Sequence, residues 1–338
     1  MELWTASLDE GSEVDTIYLD FRKAFDSVPH QRLMSKLRSY GIAGCLEKWL
    51  HSFLTRRRQR VAINGKTSQW SAVRSGIPQG SVLGPIVFLI FINDLPEVVN
   101  SIVKIYADDT KLFREIRQRD DCDRLQADLD NLMEWSRKWQ HQFNTSKCKT
   151  LHIGNQSLHY QYQLGGDVLE EVSEERDLGV IIDSQLKFKS QVGSAVLKAN
   201  RVLALIRRTF LYRDEDTIKR LYKSLVRPLL EYGNAVWYPR YVYNLKSIEK
   251  VQRRATKLVP SLKELDYGGR LHAMKLPSMK LPSIQYRIRR GDIIQTYKII
   301  HGINNLNIHV DLFSRSATYQ TTRGHPYKLY LRMKQTEC

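Results

Sequence analysis

The sequence predicts an α+β protein. Residues 13–186 read as a small antiparallel sheet backed by helices, residues 187–338 as a mostly helical basic region, and residues 1–12 as a short N-terminal remnant. Three observations carry this. In the first half, short apolar runs that end at carboxylates alternate with stretches of helical periodicity, whereas the second half is dominated by helical stripes. The charge also changes sign along the chain: residues 1–186 hold 23 Lys/Arg against 26 Asp/Glu, and residues 187–338 hold 30 against 10. With 338 residues and 42% apolar content the chain can bury two or three cores without disulfide or metal support. Its net charge of +17 makes a polyanion a better partner than an acidic or neutral ligand.

Element by element, Thr16–Leu19 reads as a buried strand ending at Asp20, and Pro29 breaks the chain before a helical segment, Met34–Phe53, interrupted at Gly41 and Gly44. Four arginines within Arg56–Arg60 precede a hairpin marked by Asn64-Gly65. They read as a basic hairpin edge, with nuclear import as the other reading. The Gly/Pro-punctuated loop 75–85 leads into the apolar helix Ile86–Ile92, with the Ser81 hydroxyl near the helix start, and such a loop lets a ligand approach the backbone. Ile102–Tyr106 and Lys111–Phe113 are strand-like and enclose the tight turn Ala107–Thr110, the first of them expected to lie in a core. Asp120–Gln140 has helical spacing, its early acids serving as caps and solvated face. Thr150–Ile153, Tyr160–Leu164 and Leu178–Ile182 read as further strands. Beyond residue 187, one helical stripe runs through Ile218, Leu221, Tyr222, Leu225, Val226 and Leu229, and another through Leu245, Ile248, Gln252, Ala255 and Leu258. Met-Lys-Leu-Pro-Ser occurs twice in tandem over 274–283, a small duplication that suggests a loop tolerant of length change.

Several classes are excluded. The four cysteines, Cys45, Cys122, Cys148 and Cys338, form no CxxC pair and have no nearby His at ligand spacing, which argues against a disulfide framework or a zinc module and for a reducing, intracellular setting. The first residues lack the basic and apolar regions of a signal peptide, and the longest apolar run, Ile86–Ile92, falls far short of a bilayer span, so neither secretion nor a membrane is expected.

Asp108 and Asp109 sit side by side in the predicted turn. Adjacent carboxylates repel unless a cation neutralises them, so a divalent-metal site is one reading and a solvated turn the other. Asp20, also at the end of an apolar strand, favours the metal reading. Three carboxylates from neighbouring strands could clamp two Mg²⁺ ions for nucleotidyl transfer, and an all-oxygen donor set suits Mg²⁺, with Mn²⁺ as an alternative, better than Zn²⁺.

Three segments in this order, Tyr18–Asp26, Gly76–Pro85 and Tyr106-Ala107-Asp108-Asp109, resemble the A, B and C motifs of reverse transcriptases, most closely those of non-LTR, jockey-like retrotransposons. Further along, Trp139–Lys149 resembles the D motif, Asp177-Leu178-Gly179-Val180 the primer-grip region, and Leu221–Pro239 with Ile248–Lys257 the thumb and connector. The resemblance implies a palm over residues 13–186 and a basic thumb after it. It also implies that Asp20, Asp108 and Asp109 are the metal carboxylates, with the Phe21 carbonyl as a further ligand. Phe25 would be the steric gate against a ribose 2′-OH, or a core phenylalanine. Gln79 and Gly80 would line the nucleotide and template pocket, the glycine because a Cβ would block close approach. Lys147 would protonate the leaving pyrophosphate, or be a solvated lysine. Tyr106 would buttress the turn or contact the primer end, and Asp26 reads as a turn or capping carboxylate. Arg207, Arg208, Lys219, Arg220, Lys250, Arg253 and Arg254 are the expected phosphate contacts on the thumb helices.

The implied function is RNA-directed DNA polymerisation, adding dNTPs to a DNA primer on an RNA template; a catalytically inactive nucleic-acid-binding fragment is the alternative, and an RNA-dependent RNA polymerase fits the motifs less well. The family places a fingers region and an endonuclease ahead of the A motif. Here only about fifteen residues precede the first strand, none of residues 1–21 is basic, and no ribonuclease H segment is evident, so the fingers are expected to be missing or on another chain, and the endonuclease and ribonuclease H to be absent. Its end, Arg323–Cys338, likewise reads as cut off within a longer family segment.

Overall fold

The computed structural model describes residues 1–155, 158–237, 239, 241–274 and 283–303. Two compact units emerge: Ser7–Glu175, and Met1–Ala6 together with the described residues from Arg176 onward. This division falls earlier than the change of charge at residue 187. The duplicated segment beyond Met274 and the segment from Arg323 lie outside the described residues, apart from Ser283.

Helix α1 (Glu2–Asp9) opens the chain. The first unit is then organised by β1 (Glu13–Leu19), whose seven residues are almost entirely buried because it is the central strand of a sheet. Helices α2 (His30–Ser39) and α3 (Gly44–Leu54) follow, separated where Gly41 and Gly44 take φ values of +82° and +65° that a side chain would resist. The short strands β2 (Arg58–Gln59) and β5 (Ser71–Ala72) pair around the hairpin of β3 (Ala62–Ile63) and β4 (Lys66–Thr67). Asn64 and Gly65 both have positive φ, as the Asn-Gly pair predicts. Helix α4 (Leu83–Ile92) begins where the Ser81 hydroxyl accepts from Gly84 N–H at 3.0 Å.

Strands β6 (Ile102–Tyr106) and β7 (Asp109–Ile116) form a hairpin, α5 (Arg119–Trp139) crosses behind it, and β8 (Lys149–Ile153) returns beside β1. After β9 (Gln163–Leu164) and β10 (Asp167–Val168), β11 (Glu170–Val172) pairs parallel to β8, giving a five-stranded sheet in the order β11-β8-β1-β7-β6. Two expectations need correcting. Strand β6 is not interior: it is an edge strand with alternate residues exposed, since only its Val103 and Ile105 side reaches the core. The predicted strand Tyr160–Leu164 pairs only at Gln163–Leu164. Tyr160 and Tyr162 act through their hydroxyls instead, which donate to Asp123 and to the buried Asp15.

The core lies between sheet and helices. Ile17, Leu19 and Leu112 meet Val87, Phe88 and Phe91 of α4 and the α5 stripe Cys122, Leu125, Leu129, Leu132 and Trp135. That stripe follows the 3.6-residue period. Helix α5 starts in a capping box between Gln118 and Asp121, and its buried Asp128 accepts from the Asn100 and Ser101 N–H groups at 2.9 and 2.8 Å.

Strands β12 (Glu174–Asp177) and β13 (Val180–Asp183) form the hairpin at the division between units, turning at Leu178 and Gly179, both with positive φ. The second unit continues with α6 (Lys189–Thr209), α7 (Glu215–Leu221), a π-turn at Tyr222–Val226, α8 (Arg227–Glu231), α9 (Val242–Thr256), α10 (Tyr267–Ala273) and α11 (Ile284–Ile300). The π-turn alters the predicted stripe. Ile218, Tyr222, Val226 and Leu230 are buried while Leu225 faces out, because i→i+5 bonding widens the turn and brings every fourth residue into line. On α9 the polar member of the stripe, Gln252, is fully buried. It accepts from the Tyr222 hydroxyl at 2.7 Å and donates to the Tyr267 hydroxyl at 3.1 Å, which satisfies its amide.

Candidate active site and nucleic-acid interface

The carboxylates are positioned by strand register. Leu19 pairs with Thr110, and both are buried; the alternation of the pleat therefore sends the next residues, Asp20 and Asp109, to the opposite face. Asp108 occupies the β6–β7 turn beside them, where Tyr106 pairs with Asp109. Ala107 takes a φ of +54° in this turn, a conformation uncommon for a residue with a Cβ and held here by the hairpin on either side. Asp108 and Asp109 are exposed, and the Asp20 side chain is 42% exposed.

Asp20 is fixed through its backbone. Its carbonyl accepts from Asn144 N–H at 2.7 Å, and its N–H donates to the buried Cys148 sulfur at 3.4 Å. Burial pushes the Cys148 thiol up to about 11, so it stays protonated beside the carboxylate. Phe21 bridges to Phe143, and its ring stacks on Phe143 at 4.6 Å and lies 4.5 Å from His141. The flanking bonds of this bridge are made by Asp20 and Arg22, not by the Phe21 carbonyl. His141 is itself fully buried, and desolvation, helped by the Lys36 charge, pulls its imidazole down to about 4.

Lys147 arrives on the segment before β8 and places its Nζ 3.6 Å from Asp20 Oδ1, so it joins the cluster although its side chain is 64% exposed. Tyr106 is 68% exposed, so its ring lies at the surface beside the carboxylates.

The loop before α4 is laid across the turn that follows Phe21. Gly76 N–H donates to Val28 O and Ile77 N–H to Phe25 O, each at 2.8 Å, while the Ser75 hydroxyl donates to Asp26 O at 2.9 Å. The Gly76 carbonyl meets His30 Nε2 at 2.9 Å and the Arg57 guanidinium, so one of the Arg56–Arg60 arginines is structural. Gln79 donates to Asp26 Oδ1 at 3.0 Å, which makes Asp26 a turn carboxylate that ties the two segments together. Phe25 stacks on Phe88 of α4 at 4.4 Å while staying half-buried.

A Cβ on Gly80 would meet no protein atom within 4 Å, at a φ of +78°. Gly76 is the glycine that close approach demands: a Cβ would lie 2.6 Å from Asp26 O, at a φ of +86°. Sequence reasoning missed Gly76, Asn144 and Cys148, and it missed Lys36 as well. The last is buried with its ammonium against Asp94 at 2.5 Å and over the Trp139 ring at 3.8 Å, and burial lowers it to about 8. Its spacing to Asp94 carried no signal.

On the second unit, Arg207, Arg208, Arg220, Lys250, Arg253 and Arg254 are exposed as expected. Arg207 and Arg254 line a groove of about 650 Å³ together with Arg213, Lys257 and Lys263. Arg254 donates to Asn200 Oδ1 at 2.9 Å, and Arg253 lies over the Tyr267 ring at 4.6 Å. Lys219 is the exception. It is 4% exposed, with its Nζ on Asp216 Oδ1 at 2.9 Å, because the buried stripe of α7 takes Lys219 in beside Ile218. It is not a surface contact.

Exposed carboxylates at the ends of adjacent strands supply hard oxygen donors, the set that Mg²⁺ or Mn²⁺ takes, and so fit a divalent ion. Among the described residues their oxygens do not all come within 4.8 Å of one another. Like charges repel, and Asp20 faces the Lys147 ammonium. The fold and site thus define an α+β protein with a cluster of exposed carboxylates at one end of its sheet.

The particular family follows from comparison. Residues 8–187 match the reverse transcriptase (RNA-dependent DNA polymerase) family, more than half of the chain, and the protein belongs to it. This family uses divalent metal ions. Curated relatives include a probable RNA-directed DNA polymerase from transposon BS of Drosophila melanogaster, 26% identical over 84% of this chain and 32% of that protein. Another is the RNA-directed DNA polymerase from mobile element jockey of Drosophila funebris, 28% identical over 75% of this chain and 29% of that protein. The chain spans about a third of the length of these relatives. Among solved structures, telomerase from Candida albicans in complex with a telomeric RNA fragment aligns over 78% of this chain and 51% of that one, with a TM-score of 0.43 and 12% identity. Among the described residues no helix is long and apolar enough to cross a membrane.

Proposed function

We propose that this chain is the polymerase core of a jockey-like non-LTR retrotransposon reverse transcriptase, working inside the cell: a palm that extends a DNA primer on an RNA template with dNTPs, followed by a basic thumb. The observation that carries the proposal is the cluster of Asp20, Asp108 and Asp109 at adjacent strand ends with Lys147 3.6 Å from Asp20.

Asp20, Asp108, Asp109 and the Phe21 carbonyl would hold two Mg²⁺ ions, with Mn²⁺ as an alternative. The bound ions would supply activation of the primer 3′-OH and neutralisation of the leaving pyrophosphate. Lys147, as an ammonium, donates a proton to that leaving group. Phe25, braced by Phe88, presents ring volume where a ribose 2′-OH would sit. Gln79 and Gly80 line the nucleotide and template side, and Tyr106 offers an exposed ring for the primer end. Arg207, Arg208, Arg220, Lys250, Arg253 and Arg254 bind template–primer phosphates without reading sequence.

Primer extension on an RNA template with dNTPs and Mg²⁺ tests this against the Asp108→Ala, Asp109→Ala double variant. Extension by the parent chain that falls by about 10³-fold or more in the variant is expected, since several kcal/mol of charge stabilisation is withdrawn. Absence of extension by the parent, with salt-sensitive duplex binding unaffected by the substitutions, would instead identify a catalytically inactive nucleic-acid-binding protein.

A further inference from the structure

A second cluster of ligating side chains lies away from the catalytic carboxylates. Asp15 on β1 pairs with His152 on β8, and Glu171 on β11 pairs with Thr150, two residues before His152. The period of two places Asp15, His152 and Glu171 on one face across three adjacent strands. Asp15 is five residues before Asp20 along β1, a separation of about 16 Å at the rise of a strand. His159 approaches from the segment beyond β8 and completes the group. The ligating atoms of His152, His159 and Glu171 all lie within 4.8 Å of one another.

The hydrogen bonding around His152 is that of a metal-ligating histidine. Its Nδ1 meets Asp15 Oδ1 at 2.5 Å in a buried contact, and Tyr162 donates to the other Asp15 oxygen at 2.6 Å. A carboxylate on one ring nitrogen fixes the tautomer and leaves the other nitrogen as a lone-pair donor. That other nitrogen, Nε2, is buried without a hydrogen-bond partner and lies 3.9 Å from Glu171 Oε2. On the far side, His159 Nδ1 is 2.6 Å from Glu171 Oε1, and the two imidazole rings meet nearly edge-to-face with centroids 5.5 Å apart. Donors arranged tetrahedrally about Zn²⁺ at its usual bond lengths are about 3.3–3.5 Å apart. The two contacts to Glu171 bracket that spacing, so small side-chain rotations suffice to admit an ion.

We propose that His152 Nε2, His159 Nδ1 and the Glu171 carboxylate form a Zn²⁺ site, with Asp15 as the partner that orients His152 and the fourth position open to water. The sequence shows no sign of zinc at its cysteines, which lack both a CxxC pair and a nearby histidine at ligand spacing, whereas this site uses no cysteine. Two imidazoles and one carboxylate suit Zn²⁺ better than Mg²⁺, which favours oxygen donors alone. Bound metal would tie the three-residue edge strand β11 and the segment carrying His159 to β8, closing one edge of the sheet.

The full chain, freed of metal with a chelator, is titrated with Zn²⁺ by calorimetry and with Co²⁺ by visible absorption. The Asp108→Ala, Asp109→Ala double variant is included to separate this site from the catalytic carboxylates. One equivalent of Zn²⁺ and tetrahedral Co²⁺ bands are expected in both proteins. His159→Ala and Glu171→Gln, both at exposed positions, should each weaken Zn²⁺ binding by at least tenfold, and Asp15→Asn by about 10–100-fold. Zinc should raise the melting temperature of the parent but not of His159→Ala. Zn²⁺ affinity unchanged by His159→Ala and Glu171→Gln, or lost in the Asp108→Ala, Asp109→Ala protein, would overturn the assignment.

Discussion

Residues 7–175 and the helical unit from Arg176 use charge in opposite ways. In the first, a few carboxylates are held at fixed points by register: Asp20 follows a strand buried on both sides, and Asp109 opens the strand beside it. In the second, cations are spread over helix faces, and most of their side chains extend into solvent. A positioned site depends on every backbone contact beneath it, whereas a charged surface depends on its sum. The two units should therefore fail differently when single residues are changed.

Gly76 gives the largest expected contrast. A methyl group there would sit 2.6 Å from the Asp26 carbonyl oxygen, at a φ of +86° that already disfavours side chains. Gly76→Ala should cost about 4 kcal/mol, combining backbone strain with overpacking, and primer extension should fall with it because the Gln79 loop is displaced from Phe25. Gly80→Ala carries only the conformational part of that cost. Urea denaturation of the two variants checks the ranking. Equal losses would show that the loop is not held by its approach to Asp26.

His141 sharpens the same comparison through pH. Its imidazole is buried among Phe21, Phe91 and Trp135 and titrates near 4, against an ordinary value of 6.5. Between those values the unfolded chain binds a proton that the folded chain does not. The stability contributed is thus fully present above pH 6.5 and is lost as the pH falls towards 4. The loss amounts to about 3 kcal/mol. His141→Phe should flatten this part of the stability–pH curve. A curve of unchanged steepness in that variant would assign the acid sensitivity to other groups. No comparable buried imidazole is described in the basic unit.

Much of this contrast is legible in the sequence, for a physical reason. Strand ends, turns and charge follow from local patterning, so the Asp20 and Asp108–Asp109 positions, the Asn64-Gly65 hairpin and the basic helices could be read directly. What could not be read depends on partners distant in the chain. Cys148 supplies a sulfur to the Asp20 N–H from 128 residues away, and Lys36 enters a ring of aromatic side chains gathered from α4 and α5. The π-turn at Tyr222–Val226 changed which stripe residues point inward, and no composition signal announces it. Motif C was recognisable, yet the exposure of β6 was not, because edge and centre strands differ in what lies beside them.

The smallest expected effects test whether the basic unit acts as a sum. Arg207 and Arg254 line one groove, so Arg207→Gln and Arg254→Gln should each weaken duplex binding by about five- to tenfold, roughly 1 kcal/mol, and lower the slope of log K against log salt by about 1. Lys219 is the internal control. It lies on the same basic stretch of sequence, but its ammonium is buried against Asp216. Charge counting assigns it the same weight as its neighbour Arg220, whereas burial assigns it none. Lys219→Met keeps the apolar stem and should leave both affinity and salt slope within about twofold, since a cation that cannot reach phosphate releases no counterions. If Lys219→Met weakens binding as much as Arg254→Gln, the helix must reorganise on binding, and the picture of a fixed basic surface gives way to one in which α7 opens to meet the duplex.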